Sequence, residues 1–315
     1  MKGFKKSKRG GLFKGVSLIL AIGVNCFTKF IGMRLHSFNI TNFKIDGGAM
    51  FGVVPKILWE KHYPADENNF CNWSLRSLVI DTGDRVVLID NGFGNKQSEK
   101  FFSRFHLNNY KGLEEGLAEG GYKPEDVTDM VLTHLHTDHC GGGVKTTEDG
   151  NGYKMTFPNA RYFVSKDQWE WAVNPNMREK DTYLPENLHP MEESGQLHLI
   201  EEEREICPGV SLRLFNGHTR GQIIPFISYN GRTIVFAADL LPSTVHIPLP
   251  YIMSYDVMPL ETLKEKELFL KEALDNGYVL FFQHDYYNEC CNLQDTHKGI
   301  RAKDTFLLQQ WLREI

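Results

Sequence analysis

Three histidines and an aspartate fall within six positions of the run Thr133-His134-Leu135-His136-Thr137-Asp138-His139-Cys140. Each of the four can offer an imidazole nitrogen or a carboxylate oxygen to a cation, a donor set that suits zinc or a similar transition metal better than calcium or magnesium. The apolar run Met130-Val131-Leu132 just ahead of them predicts a buried strand, and Leu135 interrupts the polar string, so a solvated histidine cluster does not fit. Residues two apart on an extended strand project to one side, which brings His134 and His136 together at its end. Asp138 and His139 follow where the strand gives way to a turn and a helix start, and Gly141-Gly142-Gly143 lets the backbone turn tightly beneath them. One ion can take the first pair and a second ion the other.

Two ions need more donors than this segment carries, so the rest must come from other strand ends. The period-two run Ser211–Phe215 predicts a strand that leads into Asn216-Gly217-His218. A hairpin is predicted from Ile224–Tyr229 and Arg232–Ala238 across the tight-turn pair Asn230-Gly231, and it ends at Asp239. Tyr278–Phe282 reads as another buried strand and ends in Gln283-His284-Asp285. Five of the twelve histidines therefore sit at or just beyond strand ends, with carboxylates beside two of them, as expected if the strands aim at one site.

With these residues in place the chain resembles the metallo-β-lactamase-fold hydrolases. The family motif His-x-His-x-Asp-His stands as His134, His136, Asp138 and His139; its later Gly-His-Thr histidine is His218, its bridging aspartate Asp239 and its last histidine His284. The resemblance runs from about Met33 to the end of the chain. It implies an α+β fold, a four-layer αββα sandwich of two mixed sheets flanked by helices. It also implies two divalent metal ions per chain, zinc foremost, the first held by His134, His136 and His218, the second by Asp138, His139 and His284, with Asp239 between them.

Details separate the branches of that family. Asp239 argues against β-lactam hydrolysis, and His136 stands where flavodiiron oxidases carry glutamate. A formal charge of −5 and the lack of a basic patch beyond the first residues argue against a nuclease and against any nucleic-acid partner. No cationic cluster for glutathione is evident. The segment Asp46–Lys56, followed by Leu58-Trp59, looks like the N-terminal signature of quorum-quenching lactonases. The resemblance thus implies a hydrolase that opens the ring of small-molecule N-acyl homoserine lactones with a metal-bridging hydroxide, Asp138 relaying the proton to the leaving alkoxide. Met50, Phe51, Val53, Val54 and Trp59 would then line an apolar groove for the acyl chain. The alternative is an organophosphate triester or aryl/carboxylic ester hydrolase on the same ligands. Two departures bear on the substrate: the chain has Gly217-His218-Thr219-Arg220-Gly221-Gln222 where the family often shows Gly-His-Thr-Pro-Gly-His, and Pro242 where some lactonases place a substrate-binding tyrosine. His246 and Tyr255 are the candidates to replace that tyrosine.

These residues must be carried by a scaffold of matching size. About 280 residues after the N-terminal stretch, in a chain that is 41% hydrophobic, can fill a two-sheet sandwich, and residues 33–315 are read as a single domain. Leu75–Ile80 and Arg85–Asp90 form a predicted hairpin across Asp81–Asp84, Glu261–Asp275 an amphipathic helix, and Asp304–Arg313 a final helix. Six cysteines without paired Cys-x-x-Cys spacing do not make a disulfide framework, which favours a reducing, cytoplasmic compartment. Residues 1–32 read as an extension, basic over Lys2–Lys14 and apolar over Gly15–Val24, too short a run for stable membrane insertion. A misassigned start, export or peripheral anchoring through it remain open. A homodimer is expected from the resemblance alone.

Overall fold

Runs rich in Val, Ile, Leu and Phe, which fit a pleated and half-buried surface, supply the strands of two mixed sheets. The structure is a computed structural model and describes residues 32–315; the reading of the N-terminal extension falls on residues outside that range. In chain order the strands are β1 (Arg34–Asp46), β2 (Phe70–Asp81), β3 (Val86–Ile89), β4 (Asp129–Val131), β5 (Val144–Thr146), β6 (Tyr153–Met155), β7 (Arg161–Ser165), β8 (Leu197–Ile200), β9 (Arg204–Cys207), β10 (Val210–Phe215), β11 (Gln222–Tyr229), β12 (Arg232–Phe236), β13 (Val279–Phe281), β14 (Cys290–Gln294) and β15 (Arg301–Phe306). The first sheet has the order β1-β2-β3-β4-β7-β8, antiparallel as far as β3 and parallel beyond it. The second has the order β15-β14-β13-β12-β11-β10-β9, antiparallel except where β12 meets β13. A small hairpin joins β5 and β6.

The two sheets face each other across one core. Leu78, Ile80, Val87, Ile89 and Val131 from the first meet Leu212, Ile223, Ile234, Phe236 and Phe281 from the second, all fully buried. Helices cover the outer faces. Leu117, Trp169, Leu188 and Met191 from three of them pack on the first sheet beside Val79, Met130 and Tyr162. The helix Pro259–Asp275 lays Phe269 edge-on against Phe226 of β11, with ring centroids 6.2 Å apart. This is the αββα arrangement expected from the sequence.

The predicted strands lie where the apolar runs placed them, and the hairpin of β2 and β3 pairs Leu78 with Ile89 and Asp81 with Val86. The final element differs. Asp304–Phe306 is not helical but completes edge strand β15, which pairs Cys290 with Phe306 and Cys291 with Thr305; only Leu308–Trp311 forms a short helix. Pairing with β14 satisfies backbone groups that a helix there would have satisfied locally, so tertiary context decides between the two.

Candidate metal centre

His134, His218, Asp239 and His284 each sit three residues past the end of a strand, and His136, Asp138 and His139 follow His134 on the same loop and short helix. β4 stops at Val131, and the chain stays extended through Thr133, whose carbonyl accepts the backbone N–H of Ile223 at 2.7 Å from the opposite sheet. His134 and His136 follow, and the short helix Thr137–Cys140 carries Asp138 and His139. β10 delivers His218, β12 delivers Asp239 through Ala238 at φ 41°, and β13 delivers His284. The backbone N–H groups of Ser74 and Arg76 donate to the carbonyls of His284 and Gln283 at 3.0 and 3.2 Å, tying that strand end to the first sheet.

Two glycine-rich passages permit this convergence. A Cβ on Gly142 would lie 2.1 Å from the Asn91 carbonyl oxygen, so the triplet allows residues 91–94 and 141–143 to touch backbone to backbone. A Cβ on Gly217 would lie 2.4 Å from Cα of Thr262, where the helix Pro259–Asp275 begins.

The seven side chains come together at one place. His134 Nε2 lies 3.0 Å from His136 Nδ1, which is 3.2 Å from His218 Nε2. On the other side His139 Nε2 is 3.3 Å from His284 Nε2, and Asp138 Oδ2 is 3.5 Å from His139 Nε2. Asp239 stands between the groups, Oδ2 at 3.1 Å from His218 Nε2 and Oδ1 at 3.1 Å from His284 Nε2. His134, His136 and His218 form one cation-sized set of donors, Asp138, His139 and His284 another, and His134, His139 and Asp239 a third that overlaps both.

These contacts suit divalent metal. Tetrahedral zinc with nitrogens at about 2.0–2.1 Å has ligand–ligand edges of about 3.3–3.4 Å, close to the spacings here. Asp239 Oδ1 is buried and, among the described residues, receives no aligned hydrogen bond although His284 Nε2 lies 3.1 Å away, an arrangement that costs about 1–3 kcal/mol unless a cation binds the oxygen. Each imidazole is also held by its other nitrogen. His139 Nδ1 donates to Asp90 at 2.8 Å, His218 Nδ1 to Asp256 at 2.8 Å, His136 Nε2 to Glu179 at 3.2 Å and His284 Nδ1 to the Ser74 carbonyl at 3.0 Å, while His134 Nδ1 meets the Thr133 hydroxyl at 3.1 Å. Such partners fix the tautomer and leave the inward nitrogen's lone pair free.

Electrostatics divide the histidines. Burial, reinforced by neighbouring imidazoles, pushes His134 well below the ordinary histidine range, and burial lowers His136 as well. Burial also opposes the charged forms of His139 and His218, but nearby carboxylates outweigh it: Asp138 and Asp239 raise the first, while Asp239 and Asp256 raise His218 to about 10. Burial resists the Asp239 charge too, yet His284, His139 and His218 hold its carboxyl well below the usual range. A cation entering the site displaces protons from the raised pair.

A cavity of about 450 Å³ opens onto these donors, with Phe43, Ile45, Met50, Phe105 and Met253 as its apolar wall and Arg178 and Tyr255 among its polar residues. Of the five residues expected to form a groove, Met50 alone lines it. Phe51 and Trp59 are fully buried and stacked on each other with centroids 4.7 Å apart, Val54 packs partly buried against the same cluster, and Val53 is 92% exposed. The cause is the short helix Gly47–Phe51, capped by Asp46, which turns Phe51 into the core before Gly52 reverses the chain at φ 57°. His246 does not line the cavity. Its Nδ1 meets the Ser243 hydroxyl at 2.7 Å and its Nε2 the Met50 carbonyl at 2.8 Å, and burial lowers it to about 3. Tyr255 does line the cavity. Cys140 is buried beside Leu135 and packs rather than ligates. Asp90, Glu179 and Asp256 were not singled out by the sequence. Asp90 shared the strand-end signal, following β3, whereas nothing local marked Glu179.

The sequence pattern of the Metallo-beta-lactamase superfamily matches residues 76–284, about two thirds of the chain. The chain belongs to the metallo-beta-lactamase superfamily. It is accordingly a metal-dependent hydrolase. An N-acyl homoserine lactonase of Bacillus cereus is 26% identical over 235 residues, covering 70% of this chain and 85% of the relative. One from Bacillus thuringiensis is 27% identical over 225 residues, covering 67% and 81%. Among solved structures, a probable metal-dependent hydrolase from Staphylococcus aureus superposes with a TM-score of 0.78 at 33% identity, covering 87% of this chain and 98% of that one. AidC, described as a dizinc quorum-quenching lactonase, shares the fold at TM-score 0.72 and 20% identity, covering 87% and 95%.

Proposed function

We propose that this superfamily member opens the ring of N-acyl homoserine lactones on a centre of two zinc ions. The observation that carries the reading is the pair of three-residue donor sets, joined at Asp239, on one side of an apolar-walled cavity of about 450 Å³. Kinship to lactonases of two Bacillus species supports the substrate. His134, His136 and His218 would hold one ion, Asp138, His139 and His284 the other, with Asp239 shared. Bound there, two divalent ions supply Lewis acidity and a nucleophilic water near neutral pH.

The chain's own groups do the rest. Phe43, Met50 and Met253 take the acyl chain and exclude water from the reacting ester. Asp138, with its side chain 23% exposed, takes the proton from the attacking water and returns it to the ring alkoxide. The Tyr255 phenol, on a residue 42% exposed at the cavity's edge, is raised above the ordinary tyrosine range by partial burial and then by Asp46 and Asp138, so it stays protonated and donates to the carbonyl oxygen where charge develops. It occupies the role that Pro242 cannot fill.

The test is a substrate panel on the purified chain. Acid release from N-acyl homoserine lactones, followed with a pH indicator and abolished by chelator, is expected to exceed turnover of an aryl ester or a phosphotriester. Faster turnover of the phosphotriester would overturn the substrate assignment in favour of the alternative hydrolase.

A further inference from the structure

Glu179 lies on a segment that the ligand motif does not include, yet it is 4% exposed and accepts hydrogen bonds from five side chains. Its Oε2 receives the Trp171 indole N–H at 2.7 Å and the Asn176 amide at 2.5 Å. Its Oε1 receives His136 Nε2 at 3.2 Å, the Tyr183 hydroxyl at 3.0 Å and the Thr219 hydroxyl at 3.0 Å. Thr219 directly follows His218, so this one carboxylate touches both His136 and the neighbour of a second donor in the same set. An indole N–H can only donate. The Asn176 amide cannot reverse without loss, because its Oδ1 already accepts the backbone N–H groups of Arg178 at 2.8 Å and Glu179 at 3.2 Å.

We propose that Glu179 is a positioning residue that fixes the His136 tautomer, and with it the capacity of the His134, His136 and His218 set to hold an ion. Because both Glu179 oxygens are acceptors, His136 carries its proton on Nε2. Its Nδ1 lone pair is then left facing His134 and His218, at 3.0 and 3.2 Å from their Nε2 atoms. Among the five ligand histidines it alone turns Nδ1 inward, and without a fixed proton on Nε2 nothing else reserves that atom for metal. This rests on the dinuclear reading above.

Glu179→Gln turns the geometry against itself. The new carbonyl must stay with Trp171 and Asn176, so the new NH2 faces His136, and the Tyr183 and Thr219 hydroxyls can both rotate to accept it. His136 Nε2 is forced to accept, and its proton moves to Nδ1, where it blocks the ion. The experiment loads the full chain with zinc, competes it with a chelator of known affinity, counts ions retained, and reads the His136 ring nitrogens by long-range 1H–15N NMR. Wild type is expected to hold two ions with Nε2 protonated. Glu179→Gln is expected to lose about 10- to 100-fold affinity for one ion, the range for such supporting partners, and to keep the other. Glu179→Asp, shorter but accepting on both oxygens, should retain more affinity than Gln and the wild-type tautomer, and it serves as the second probe should the Gln variant fold poorly. Wild-type affinity in Glu179→Gln, or an Asp variant weaker than Gln, would overturn the assignment. Fewer than two ions on wild type would instead sink the dinuclear reading on which it stands.

Discussion

Replacing Gly142 with alanine should damage stability and metal binding together. The added Cβ would stand 2.1 Å from the Asn91 carbonyl oxygen and 3.1 Å from the Asn91 carbonyl carbon, against ordinary contacts of 3.4 Å or more, so the two backbone segments must separate by about 1.3 Å. Both are rigidly joined: Gly142 N–H donates to Gly92 at 2.9 Å and Asn91 N–H to His139 at 3.0 Å. Two buried backbone hydrogen bonds at about 1 kcal/mol each, added to about 1–3 kcal/mol of overpacking, give a loss of roughly 3–5 kcal/mol. The same movement pulls Asp90 from His139 Nδ1, now 2.8 Å away, so the Asp138, His139 and His284 set should bind its ion about 10- to 100-fold more weakly. Urea unfolding of the metal-free chain and chelator competition on the loaded chain read the two effects separately. A stability loss below about 1 kcal/mol with both ions at wild-type affinity would refute the reasoning.

Three further outcomes follow from the same geometry. Asp138→Asn should lower lactone turnover more than it lowers metal content, and equal activity at full occupancy would remove Asp138 from proton transfer. Tyr255→Phe removes a donor and leaves the ring, so kcat should fall about 10-fold or more with KM little changed, whereas a rise in KM alone would assign the phenol to ground-state binding. Burial opposes ionisation of Glu179, but donation from His136 outweighs it, with help from Trp171 and Asn176, and lowers its carboxyl from 4.5 to about 2. A folded value below the unfolded one gives stability that is complete above about pH 4.5 and lost as the pH falls through about 2. Acid unfolding of the metal-free chain should therefore steepen in that window for wild type and be shallower in Glu179→Gln; identical acid limbs would contradict this.

The candidate donors are legible because strand ends are written locally. An apolar run of a few residues fixes the strand, and the donor sits within three positions of its end, as for His134 after Met130–Leu132 and His284 after Tyr278–Phe282. Their supports were not legible, since Glu179, Asp90 and Asp256 lie 43, 49 and 38 residues from the histidines they hold and no local pattern links them. The acyl groove failed for a related reason. Composition marked Phe51 and Trp59 as apolar but could not say which apolar surface they join, and stacking of Phe51 on His246, with centroids 4.8 Å apart, draws it into the core. The glycine triplet is legible as a place where the backbone turns tightly, but its main constraint is the close approach of the distant segment 91–94.

In the proposed reaction two ions act together on a lactone. Stripping the chain with chelator, restoring zinc stepwise and plotting N-acyl homoserine lactone opening against ions bound per chain tests it most directly. Turnover that stays low through the first ion and rises as the second binds is the predicted result. Full turnover at one ion per chain, or none at two, would contradict the account.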